Sequence, residues 1–97
     1  MMRTIEELKE IIAQNQIILE QKYKVKTIAF FGSFVRGDQT EESDIDMLVE
    51  FNEPVGLLFI HLADYLEEIL GMKVDLLTLD AIKPNRKEFI VDELVYV

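Results

Sequence analysis

The chain contains no cysteine, which excludes disulfides and thiolate metal sites. No apolar run approaches the ~20 residues needed to span a bilayer. The opening "MMRTIEELKE" lacks the apolar stretch of a signal peptide. There is no internal repeat, low-complexity segment or linker, and 97 residues are enough for one domain and too few for two. A single soluble, cytoplasmic domain over 1–97 is therefore expected, with no membrane association. Basic residues are scarce, 10 against 19 acidic, for a net charge of −9. Such a field repels a polynucleotide backbone unless a local basic patch or bound metal intervenes, so no direct polynucleotide binding is expected. It is compatible with divalent cations or with a basic protein partner.

What the chain does have is apolar residue, 49% of the total, sufficient for a packed core. Thr4 and Glu7 form a capping-box pattern, and Ile5, Leu8, Ile11, Ile12, Ile18 and Leu19 recur at near-helical spacing, which predicts a helix over 5–22. "VKTIAFF", Val25–Phe31, reads as a strand ended by Gly32, followed by a short helical turn from Ser33 and a loop through "QTEES". A second strand is expected over 44–51. A helix over 56–70 follows, with Leu58, Leu62, Leu66 and Ile69 on one face, and then a third strand over 73–79. Pro84 fits the first turn of a last helix, 84–94. The order is that of an α/β domain, a small mixed β-sheet flanked by helices. Its second and third strands are long enough apart for a parallel crossover.

The chemistry gathers in "FFGSFVRGDQTEESDIDMLVEF". Asp44 and Asp46 alternate with one isoleucine, so on a strand both project to the same face, about 6–7 Å apart. Asp75 begins the third strand. If the second and third strands are parallel neighbours, all three carboxylates meet at one end of the sheet. If the first strand is antiparallel to the second, Gly32-Ser33 arrives there too. Clustered carboxylates repel, and at least one should hold a proton unless a cation favours the ionised forms. Oxygen-only ligands with no Cys and no nearby His point to Mg²⁺ or Mn²⁺. Gly32 lets backbone approach a phosphate, and the turn amides with the Ser33 hydroxyl offer donors. A turn followed by a capped loop and a solvated strand start explains each residue singly, but not their joint spacing.

Gly32-Ser33, ten intervening residues, Asp44-x-Asp46 and a later-strand Asp75 resemble the signature of the DNA polymerase β-like nucleotidyltransferase superfamily. With "GSFVRGD", "ESDIDMLVEF" and "KVDLLTL", nearly the whole chain resembles the minimal nucleotidyltransferase (MNT) family. The resemblance implies the polymerase β-like fold and an antitoxin that transfers AMP from ATP to a tyrosine of a HEPN-domain RNase toxin, silencing it. It also implies a pair of Mg²⁺ ions held by Asp44 and Asp46, Mn²⁺ being an alternative. Asp75 would complete one site and receive the acceptor proton. Two other functions stay open: a non-catalytic antitoxin acting by occlusion, and a small-molecule nucleotidyltransferase that needs a helical partner subunit.

Arg36, one helical turn after Ser33, is a candidate for nucleotide phosphate or the acceptor protein, or for a surface ion pair with Asp38, Glu41 or Glu42. His61 reads as a half-buried structural residue. The methionines read as core and terminus residues, and "FIVDELVYV" as core packing with an exposed side open to a partner.

Overall fold

A computed structural model describes residues 3–97. Thr4 caps α1 (Ile5–Gln14): its hydroxyl accepts the Glu7 N–H at 3.2 Å, and the Glu7 carboxylate accepts the Thr4 N–H at 3.1 Å. The helix expected over 5–22 breaks at Asn15, beyond which α2 (Gln16–Gln21) begins. Asn15 Nδ2 donates to the Ile11 carbonyl at 2.8 Å, while its Oδ1 accepts the Tyr65 hydroxyl at 2.6 Å. A short amide side chain that bonds backbone competes with the helical ladder. The break also turns the apolar stripe. Leu8, Ile12 and Leu19 are buried, whereas Ile17 and Ile18 face outward, so Ile18 does not belong to the core stripe.

The chain continues through β1 (Val25–Phe31), α3 (Ser33–Arg36), β2 (Ile45–Phe51), α4 (Leu58–Leu70), β3 (Val74–Leu77), α5 (Pro84–Glu93) and β4 (Val95–Tyr96). The sheet has four strands in the order β3-β2-β1-β4. β1 is antiparallel to both β2 and β4, and β2 is parallel to β3. α4 supplies the crossover that a parallel pair requires. The third strand stops before residue 79 because Leu79–Ala81 winds into a 3₁₀ turn. β4 was not expected. Two residues are too few to show alternation, and their strand character comes from pairing with Ala29 and Phe30.

The two faces of the sheet are unequal. Strand residues alternate between them. Phe30, Ile45, Met47 and Val49 join Leu8, Ile12, Leu62, Leu66 and Leu70 in the main core under α1 and α4. The opposite face carries a small cluster, Phe31, Leu48, Ile82 and Ile90, roofed by α5. Ile90 is the one buried residue of α5, and Phe89 and Val91 are exposed. "FIVDELVYV" is thus core only in part, because a helix roofing so small a cluster has a narrow buried stripe. His61 is exposed rather than half-buried. It precedes Leu62 and sits about 100° around the helix from that core position. Met47 is buried and Met72 lies against the main core, while Met1 and Met2 fall outside the described residues. No helix among the described residues is long and apolar enough to cross a membrane.

Asn15→Ala leaves the partly buried Tyr65 hydroxyl without its acceptor and should lower stability by about 1–2 kcal/mol. Adding Tyr65→Phe should cost little more, since the orphaned group is then gone. Urea denaturation of the two single variants and the double variant checks the coupling; strictly additive losses would refute it.

Candidate active site

The β2–β3 register places Asp46 directly beside Asp75. Parallel neighbours lie ~4.8 Å apart, so the two carboxylates leave the same face side by side. That face is the thinly covered one, since Leu48 and Leu77, two residues further along each strand, belong to the α5 cluster. Asp44 stands one residue before β2 and is exposed on the same rim. Asp46 and Asp75 line a cleft of about 460 Å³, together with Gly32, Arg36, Arg86 and Glu93. Asp44 is not part of its wall. Among the described residues no three His, Cys, Asp or Glu side chains come together as a group able to hold a metal ion, so the three carboxylates expected to meet are brought together only as the Asp46–Asp75 pair. A larger groove, about 650 Å³, lies further along the strands between Glu50, Phe51, Asp80 and Tyr96. It holds neither Gly32 nor the paired aspartates, which line the smaller cleft; Ser33, like Asp44, is not part of that cleft's wall.

β1 runs antiparallel to β2, so its end meets the start of β2: Phe31 pairs with Asp46. The chain then turns at Gly32, with φ 80° and ψ −151°. The Asp46 side chain lies against the turn, and a Cβ at Gly32 would collide with its carboxylate. Positive φ and contact with Asp46 therefore both require glycine here. Val35 and Arg36 donate to the Gly32 carbonyl at 3.1 Å, which leaves Ser33 and Phe34 as the first amides of the turn without helical acceptors. Gly37 closes α3 in the left-handed conformation, its N–H on the Ser33 carbonyl at 2.9 Å.

Burial raises the Asp46 pKa most, the neighbouring Asp75 and Asp44 raise it further, and Arg36 and Arg86 oppose them. A carboxylate in this position is stabilised by a proton or by a cation. The donor set is carboxylate oxygen only and sits next to a turn with no side chain in the way. These residues fit a hard divalent cation that keeps waters or phosphate oxygens as its other ligands.

Arg36 lines the cleft but is already engaged. Its Nε donates to Asp38 at 3.2 Å and its Nη1 to Glu93 at 2.8 Å. The Asp38 pair was one of the sequence alternatives. Glu93 was not, and it also accepts the Gly32 N–H at 3.0 Å. Glu93 lies 61 positions from Gly32, so no local spacing could reveal it. Arg86 and the exposed Phe89 also reach the cleft from α5. Among the described residues Arg86 takes part in no ion pair, which leaves its charge available to an anion.

A mixed sheet carrying paired carboxylates beside a Gly-Ser turn narrows the class of protein to α/β domains with an acidic cleft at one sheet rim. Comparison with known proteins makes this specific. Residues 5–97 match the family model for the nucleotidyltransferase domain. A Methanocaldococcus jannaschii protein named as a candidate protein adenylyltransferase, MJ1379, is 52% identical over 99% of this chain and all of its own length. Protein adenylyltransferase MntA of Thermococcus cleftensis is 41% identical over 99% of this chain and 98% of its own. Among solved structures, a candidate minimal nucleotidyltransferase superposes with a TM-score of 0.72 at 30% identity, covering 91% of this chain and 93% of that one. A toxin-antitoxin with AMP-PNP gives a TM-score of 0.67 at 27% identity, over 86% of this chain and 69% of that one. The chain belongs to the nucleotidyltransferase domain family, in its minimal form.

Two outcomes follow from the Gly32–Asp46 contact. Gly32→Ala should cost about 2 kcal/mol or more, from positive φ and from overlap with the carboxylate. In an Asp46→Ala background the overlap disappears and the cost should fall; an unchanged cost in denaturant titrations would deny the contact. The raised Asp46 pKa makes the folded chain hold a proton that the unfolded chain has released. Stability contributed by Asp46 is thus present below the ordinary carboxylate range and lost as pH rises through the folded pKa. Asp46→Asn should therefore melt above wild type at pH 7, with the gap closing in acid. Mg²⁺ at ten times its Kd should stabilise wild type by about 1.4 kcal/mol and Asp46→Asn by much less, read as thermal shifts.

Proposed function

We propose that this nucleotidyltransferase is the antitoxin of a toxin-antitoxin pair and moves AMP from ATP onto a hydroxyl, a tyrosine, of a HEPN-type RNase toxin in the cytoplasm. The observation that carries the reading is the pairing of Asp46 with Asp75 immediately beside Gly32-Ser33. Support also comes from the relative named a protein adenylyltransferase and from the toxin-antitoxin structure with AMP-PNP, an ATP analogue.

In the proposed reaction the acceptor oxygen forms a bond to the α-phosphorus as the bond to the pyrophosphate oxygen breaks. Asp44, Asp46 and Asp75 are the residues that would hold Mg²⁺, two ions, with Mn²⁺ able to replace them. The metal supplies charge neutralisation of the triphosphate and of the departing pyrophosphate. Asp75, exposed at the rim, is placed to receive the proton of the incoming hydroxyl. Ser33 and the turn amides bind phosphate oxygens, and Arg86 adds the positive charge that Arg36, held by two carboxylates, no longer offers. The chain supplies positioning and electrostatics, the main requirements of phosphoryl-type transfer.

Co-expression with a HEPN-type toxin partner, followed by intact-mass measurement of that toxin, tests the reading. A mass gain of about 329 Da per adenylyl group is expected. Asp44→Asn and Asp46→Asn should abolish the gain while the circular dichroism spectrum stays native. A toxin that is inhibited but unmodified would replace adenylyl transfer with occlusion.

A further inference from the structure

We infer that Glu93 is a positioning residue that braces the Gly32–Arg36 segment from α5, and so sets the phosphate-binding turn against the carboxylates; this rests on the function proposed above. Three contacts carry it. Glu93 Oε1 accepts the Gly32 N–H at 3.0 Å and an Arg36 N–H at 3.1 Å, and Oε2 accepts the same guanidinium nitrogen at 2.8 Å. One carboxylate thereby holds both the first residue of the turn and the last residue of α3.

The strand geometry explains why a side chain is needed there. On β1 the Ile28 carbonyl accepts the Val97 N–H at 3.2 Å, so Ile28 faces the β4 edge. Backbone groups of an antiparallel strand alternate in direction. Phe30 and Gly32 therefore face the same edge. β4 begins at Val95 and is gone before it reaches Gly32. Glu93, two residues before β4, replaces the missing strand with its own carboxylate. Without it the amide of Gly32, the residue against which Asp46 rests, loses its acceptor. A shift of Gly32 displaces Ser33, so slack at Glu93 enters the nucleotide side of the site directly. Sub-ångström placement matters because charge-assisted bonds to phosphate are steep in distance and angle.

The same contacts hold Arg36, which lines the cleft, in ion pairs with Glu93 and Asp38. Both oxygens of Glu93 are engaged by Gly32 and Arg36, so it acts through them and not on substrate.

The test compares wild type, Glu93→Ala, Glu93→Gln and Glu93→Asp by three measurements: calorimetric binding of Mg²⁺·AMP-PNP, Mn²⁺ binding by electron paramagnetic resonance, and amide exchange of Gly32. Glu93→Ala should weaken nucleotide binding about tenfold, with Mn²⁺ affinity within about twofold of wild type, and its Gly32 amide should exchange faster. Glu93→Gln keeps an acceptor oxygen at the same reach and should regain most of the lost affinity. Glu93→Asp keeps the charge, loses the reach and should resemble Ala. Nucleotide affinity unchanged or tighter in Glu93→Ala, or Mn²⁺ affinity lost in parallel, overturns the brace. If the wild-type chain binds no Mg²⁺·AMP-PNP, the proposed function fails and the inference fails with it. Wild-type binding with an unaffected Glu93→Ala removes the brace alone.

Discussion

The contact between the Asp46 carboxylate and the bare backbone of Gly32 is the constraint on which the rest of the site depends. It lets an acidic group lie directly against the backbone of the turn, and it does so by removing a side chain. Every element around it is arranged to keep that contact. Antiparallel pairing delivers Gly32 to the start of β2, parallel pairing sets Asp75 beside Asp46, and α3 turns the chain away before it can cover the cleft. The electrostatic cost is concentrated on Asp46, which is partly buried and lies near the charges of Asp75 and Asp44.

The inequality of the two sheet faces makes such a site tolerable in a small domain. The main core under α1 and α4 contains the fully buried large side chains, Phe30, Met47, Leu62, Leu66 and Leu70 among them. Stability resides there. The α5 face has only a four-residue buried cluster and can give up its end to charged groups without opening the core. Alternation along β2 enforces the division: Ile45, Met47 and Val49 point one way, and Asp46 and Leu48 the other. A one-residue slip of β2 would bury the aspartates and expose the core, so the register that folds the domain is also the one that builds the site. α5 closes the arrangement from the far end of the chain, with Ile90 anchoring it, Arg86 adding charge and Glu93 tying it to the turn.

Much of this was readable from local pattern. The strands around Ala29 and Leu48, the crossover helix with its leucines at four-residue spacing, the capping box at Thr4 and the candidate residues Gly32, Ser33, Asp44, Asp46 and Asp75 all have signatures within a few positions of one another or within one strand. What escaped was non-local or came from a single side chain. The break at Asn15 depends on a hydroxyl fifty positions away, on Tyr65. His61 and Ile18 were misplaced because a helix face is decided by what lies opposite, and a single turn of axis moves a residue from core to solvent.

The amino-acid order by itself determined the residue chemistry: the absence of thiols, the acidic pair at a strand mouth, and the glycine whose turn precedes it. Those follow from composition and from the two-residue period of a strand, both local properties. Only the tertiary structure decided that Asp46 rather than Asp44 lines the cleft wall, that Arg36 is spent on Glu93 and Asp38, and that α5 brings Arg86 and Glu93 to the same cleft. Those depend on which chain segments meet across the sheet, and the energy of meeting belongs to pairs of residues that no stretch of sequence contains together.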